Sequence, residues 1–234
     1  GGAFTLAESI VEETYRAKFD EFMRTKLLGP VGMRQSTFGT IPPSWRRNFA
    51  YGHEQNKRLP YRVCVGKAAG GLTTTARDYA QFLLTLINGG VAPNRRQVLK
   101  PSSFMRMMTP GHRQGSTLAS CGQGRGCSKS GERCLARKCM VPIRNGSRHA
   151  GLGVELSARR TRGGELPISI EHGGAQEGYS AYFVAALKEK RGIVILSNGS
   201  CSWDHKKRNG KTEKRGGCAL RSELLSAYAA TLAR

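Results

Sequence analysis

Apolar residues recur with two different periods along the chain, and the change from one to the other divides it. From residue 3 to 15, Phe4, Leu6, Ala7, Ile10 and Val11 make a loose helical face with Glu8, Glu12 and Glu13 opposite. Phe19, Phe22, Met23 and Leu27 follow at cleaner amphipathic spacing, and Gly29-Pro30 predicts the stop. Ser36-Thr37-Phe38 reads as a short edge strand, and residues 42–60, with Pro42-Pro43 and scattered charge, as a long surface crossing. The strongest helix is predicted over residues 76–87. Thr74 or Thr75 can cap it, Asp78 sits near its positive end, Tyr79, Phe82, Leu83 and Leu86 form the buried stripe, and Asn88-Gly89-Gly90 ends it. A short helix between Pro101 and Pro110 follows, with Ser102 or Ser103 near its start.

Beyond it the period drops to two. Residues 150–156, 168–172, 178–187 and 192–198 alternate as strands do, with the charged turn Lys188-Glu189-Lys190-Arg191 joining the last pair into an antiparallel meander. Leu220, Leu224, Leu225, Tyr228 and Leu232 then close the chain as a helix. Helices, then antiparallel strands, then a helix predict an α+β fold, an antiparallel sheet flanked by helices.

Composition changes this picture in one respect. At 234 residues and 38% hydrophobic content the chain can bury a sizeable core, yet its formal net charge is +22. Half of that excess comes from residues 112–150, with eight Lys or Arg against Glu132, and 201–217, with six against Asp204 and Glu213. Both segments lack apolar periodicity and read as solvated basic insertions of low order in a single domain over residues 1–234. No run of 18 apolar residues exists. The seven cysteines (Cys64, Cys121, Cys127, Cys134, Cys139, Cys201, Cys218) form no C-x-x-C pair, and the gaps of five, six and four residues from Cys121 to Cys139 fit zinc knuckles poorly. No metal and no cofactor is expected. His53, beside Tyr51-Gly52, reads as an exposed or locally hydrogen-bonded histidine rather than a ligand.

The candidate chemistry lies in Glu171-His172-Gly173-Gly174-Ala175. A Gly-Gly pair weakens a strand, so its place beside a titratable ring points either to close approach of a ligand or to a tight corner between strands. Order along the chain decides between them. Gly70-Gly71-Leu72-Thr73-Thr74-Thr75-Ala76-Arg77-Asp78-Tyr79-Ala80-Gln81-Phe82, the Phe22-to-Met33 segment, Gly151-Leu152-Gly153, and His172-Gly173-Gly174 with Gly178-Tyr179-Ser180 together resemble, in sequence order, the motifs of the β-lactamase-related serine hydrolases. That family includes class C β-lactamases, DD-peptidases and esterases. The departures are Val31 where Leu is usual and Ala150 where Tyr is usual.

The resemblance implies a β-lactamase/transpeptidase-like fold and hydrolysis of ester or amide bonds, β-lactam or peptide among them, through an acyl-enzyme. It places His172 at the third catalytic motif, more often Lys-Thr-Gly. Gly173 and Gly174 would let the substrate lie along the strand edge, and the backbone N–H of Ala175 would form one arm of the oxyanion hole. Histidine, only partly charged at neutral pH, tilts the expectation from penicillins toward esters or amides. The family's nucleophile lies in S-x-x-K, and no lysine here has a serine three residues before it. The second-motif tyrosine would fall two residues before Gly1. The sequence thus reads as the C-terminal part of such an enzyme, truncated at its N-terminus, lacking the nucleophile and inactive alone. Relatives are usually secreted or periplasmic; with no N-terminal signal to read, the compartment stays open. The rival expectation is a non-catalytic basic binding module for nucleic acid or another polyanion. Against it, the basic runs interrupt a hydrolase-like pattern, and only Trp203 lies within them to stack a base.

Overall fold

The computed structural model describes residues 2–54, 57–109, 147–161, 164–199, 207–208, 211–212 and 217–232. In chain order the elements are α1 (Gly2–Tyr15), α2 (Phe19–Met23), a π turn (Arg24–Leu28), α3 (Gly29–Val31), a 3-10 turn (Pro43–Asn48), β1 (His53–Glu54), β2 (Lys57–Arg58), α4 (Lys67–Gly70), α5 (Ala76–Ile87) and α6 (Pro101–Met108). Then come β3 (Ser147–Ala150), β4 (Glu155–Thr161), β5 (Gly164–Gln176), β6 (Tyr179–Ala186), β7 (Arg191–Ser197), β8 (Lys207–Arg208), β9 (Lys211–Thr212) and α7 (Gly217–Leu232).

The expected α+β architecture is present. Strands β3 to β7 form one antiparallel sheet in sequence order. Its two faces are covered by different helices. On one, Leu83 and Leu86 of α5 and Met108 of α6 pack against Leu156, Ile170, Phe183 and Ala185. On the other, Leu225 and Tyr228 of α7 pack against Tyr182, Val184 and Ile195. Strand β6 feeds both cores with successive side chains, which is why all its residues from Tyr182 to Ala186 are buried.

Helix α5 follows its pattern. Thr75 is the N-cap, its hydroxyl accepting from the Asp78 amide at 3.1 Å, and Gly89 and Gly90 end the helix at positive φ. Asp78 does more than meet the helix dipole. Its buried carboxylate accepts from the Gln35 amide (2.6 Å) and the Ser36 hydroxyl (2.8 Å), so it pins the chain after α3 to the start of α5.

Four local expectations are corrected. Helix α1 is turned: Leu6 and Ile10 are 64% and 55% exposed, and Glu8 is buried, accepting from the Ala68 amide at 2.9 Å. A helix with carboxylates on one face and apolar residues on the other is here oriented by the hydrogen bond its partner offers, which periodicity does not contain. Gly29-Pro30 does not stop α2. The helix widens into a π turn, with the Gly29 N–H bonded to the Arg24 carbonyl five residues back, and ends at Gly32, at φ 91°. A Cβ at Gly29 would lie 3.0 Å from that carbonyl oxygen, so glycine makes the wider turn possible. Residues 150–156 are not one strand, because residues 151–154 turn between β3 and β4. Of the basic segments read as insertions, residues 112–146 and most of 201–217 lie outside the described residues, and β3 is the end of the first. The edge strand expected at Ser36–Phe38 is a single bridge, Thr37 to Thr73.

Candidate functional site

His172-Gly173-Gly174 is no corner. Strand β5 runs through it to Gln176 and turns at Glu177-Gly178, where Gly178 has φ 80°. Strand β4 pairs with β5 only as far as Glu171, whereas β6 pairs with it out to Gln176 opposite Tyr179. Residues 172–176 therefore have one paired edge and one edge that β4 leaves open. In an antiparallel ladder the pair flanking a two-residue turn is hydrogen-bonded, and pairs alternate from there. With Gln176 and Tyr179 as that pair, Ala175 falls in the next, non-bonded one, and its N–H and C=O point away from β6 toward the open edge. A Cβ added at Gly174 would meet nothing within 4 Å, so the strip above it is open space. At Gly173 an added Cβ would come within 3.0 Å of the Tyr182 ring on the other face.

The two glycine motifs are joined physically. Gln176 Nε2 donates to the Gly70 carbonyl at 2.8 Å, and a Cβ at Gly70 would lie 1.9 Å from that nitrogen. At Gly71 a side chain would strike the Lys67 backbone at 2.6 Å. Gly70 and Gly71 are thus explained by close approach, and the Gly70 carbonyl ties the motif to the end of β5.

Between α5, the α2–α3 segment and this part of the sheet lies a cavity of about 330 Å³. Apolar side chains from Met23 to Phe183 line it, Leu72, Phe82, Leu86 and Met107 among them, and among the described residues its only polar side chains are Tyr79 and His172. His172 keeps an exposed edge, but the apolar surroundings hold its imidazole below the ordinary value by desolvation. The neutral ring is therefore the prevailing form at pH 7. Tyr79 packs against the rings of Phe82 and Phe183, each at 5.7 Å, and burial pushes its phenol up to about 12.

Of the sequence-derived site residues, His172, Gly173, Gly174 and Ala175 share one strand, and only His172 lines the cavity. Tyr79 was legible only as a member of the apolar stripe; the signal available was its hydroxyl in an otherwise hydrocarbon run. Gln176 carried no sequence signal. His53 is bonded to a distant segment rather than locally, its ring 3.3 Å from Asn198 Nδ2 and its amide donating to the Asn198 carbonyl at 2.8 Å. Among the described residues, no group of three His, Cys, Asp or Glu side chains is placed to hold a metal ion, and no helix is long and apolar enough to cross a membrane.

A family model described as Beta-lactamase matches residues 1–214. Among solved structures the chain is similar to a class C beta-lactamase at 15% identity and TM-score 0.60, covering 97% of this chain and 54% of that one. It is also similar to a D-alanine carboxypeptidase from Burkholderia cenocepacia (14%, TM-score 0.62, 98% of this chain and 59% of that one). An octameric penicillin-binding protein homologue from Pyrococcus abyssi gives 18% and TM-score 0.61, over 99% of this chain and 41% of that one. The chain thus spans about half the length of these structures. No curated protein matches it.

Proposed function

The chain belongs to the Beta-lactamase family, and from that premise we propose that it supplies the strand wall of an acyl-transfer site in a serine hydrolase acting on ester or amide bonds, β-lactam or peptide bonds being within the same chemistry. The observation that carries the reading is the open edge of β5, where the Ala175 N–H points outward three residues from a histidine that borders an apolar cavity. In this reading the scissile carbonyl lies along Gly173-Gly174. As a serine oxygen adds to the carbonyl carbon and gives its proton to the lysine of the S-x-x-K segment, the carbonyl π electrons move onto oxygen, where the Ala175 N–H donates to the developing oxyanion. The return of those electrons breaks the bond to the leaving alcohol or amine, which departs with that proton. Loss of such a donor costs about 100- to 1000-fold in rate. His172, largely neutral, hydrogen-bonds near the leaving group instead of supplying a fixed positive charge, which supports neutral esters and amides over carboxylate-bearing substrates.

The serine itself is assigned to an S-x-x-K segment that these 234 residues do not contain. The expected outcome is that the chain by itself forms no acyl-enzyme with a fluorophosphonate or penicillin probe. Stoichiometric labelling of any serine within it would overturn the assignment. The coding sequence upstream of Gly1 provides a second check, with S-x-x-K and a tyrosine two residues before Gly1 as the expectation. In a chain extended to include them, His172→Ala should lower kcat/KM for a neutral ester by roughly 100-fold, the low end for a lost hydrogen bond to the transition state.

A further inference from the structure

Residues 45–62 carry a second concentration of chemistry, outside both basic segments of the sequence. Five basic side chains lie there, Arg46, Arg47, Lys57, Arg58 and Arg62, against the single acid Glu54, and all five are exposed. Among the described residues only Arg62 of these has an ion-pair partner, Glu177 at 3.3 Å, so the other four present their charge to solvent. Aromatic rings interleave with them and hold the segment in shape. Phe49 packs edge-on against Tyr51 at 5.1 Å and against Tyr61 at 5.2 Å. The Tyr61 hydroxyl accepts from the Ile41 amide, the Tyr51 carbonyl from Asn198 Nδ2, and the Gly52 carbonyl from the Leu59 amide. On this frame the Arg58 guanidinium lies over the Tyr51 ring, 3.7 Å from its centre. The ring fixes one side of the guanidinium and strips it of water, and the exposed side is a cationic plane.

We propose that residues 45–62 are a docking surface for single-stranded nucleic acid, with phosphates held by Arg46, Arg47 and Lys57 and a base stacked on the outer side of the Arg58 guanidinium. The cations by themselves suit any polyanion. The Tyr51–Arg58 stack selects a partner whose flat rings can stack on it: a single strand has them, a duplex keeps them inside its own helix, and a lipid headgroup has none. The surface stands independently of the acyl-transfer reading.

The test is fluorescence anisotropy with the 234-residue chain and fluorescein-labelled strands of about 12 residues, one of oligothymidylate and one of the same deoxyribose-phosphate backbone without bases. The basic segments attract any anion, so the decisive reading is the ratio of the two affinities rather than either alone. Thymidylate should bind about tenfold tighter than the abasic strand. Arg58→Lys keeps the charge and removes the plane; with an unchanged far-UV CD spectrum it should bring the ratio to within about twofold of unity, and it should leave binding of a duplex unchanged. Arg46→Ala with Arg47→Ala should weaken both strands and lower the salt slope by about 1.4, about 0.7 for each phosphate contact on a single strand. Arg133→Ala with Arg137→Ala, in the first basic segment, should leave the ratio as it is. A ratio near one in the parent chain, a ratio that survives in folded Arg58→Lys, or an equal loss of duplex binding in that variant would overturn the proposal. A ratio lost in Arg133→Ala with Arg137→Ala would overturn it as well, since that segment would then be reading the bases. An unchanged salt slope would overturn the role given to Arg46 and Arg47. Binding to phosphatidylglycerol vesicles with no binding of thymidylate would overturn the proposal in favour of a membrane surface.

Discussion

At the scale of single residues, burial sets the chemistry. His172 has its imidazole held below the ordinary value by desolvation, so the folded protein takes up that proton later than the unfolded chain does. The unfolded chain then binds more protons than the folded one between the ordinary value of about 6.5 and the lowered one. The contribution to stability is complete above about 6.5 and is lost as pH falls through the lowered value. Urea denaturation should therefore give a falling midpoint from pH 7.5 to pH 5, in roughly the range set by that ordinary value, and His172→Gln should flatten the part due to this ring. An unchanged slope in His172→Gln would remove desolvation of the ring as its cause.

At the scale of elements, α1 separates what a pattern suggests from what a neighbour enforces. Its outward residues, Leu6 and Ile10, contribute little to packing, so Leu6→Gln and Ile10→Gln should each change stability by less than about 0.5 kcal/mol. Glu8→Ala strands the Ala68 amide in the first turn of α4 and should cost about 1–3 kcal/mol. Chemical denaturation of the three variants checks the ordering, and the reverse ordering would return α1 to the orientation its apolar spacing suggests. Strand β5 carries the same lesson. Its register with β6 continues five residues past the last pairing with β4, and that mismatch in strand length makes the open edge.

For the whole molecule, charge is the departure from an ordinary globular domain. A net +22 on 234 residues makes compaction work against self-repulsion, while the sheet is covered by apolar packing on both faces. Raising NaCl from about 0.01 M to about 0.15 M shortens the screening length from about 30 Å to about 8 Å. The melting temperature should rise over that interval. A fall would mean that the basic groups are held by specific ion pairs rather than opposing one another, as the exposed Arg62–Glu177 pair is on a small scale.

The sequence by itself determined the α+β class, the meander, α5 with its cap and stop, and the order of motifs that marks the family, because each is written in local period, turn chemistry or residue identity. His172 and its glycines were legible for the same reason, as a titratable ring beside two positions without side chains. Only the tertiary structure decided which way α1 faces, that β5 runs on past His172 with one edge open, that Gln176 ties that strand to Gly70, and that Tyr79 and His172 meet in one apolar cavity. Those features depend on where distant segments come to lie, so a phenol that periodicity counts as core becomes a polar group in a cavity once β5, α2 and α3 have packed around it.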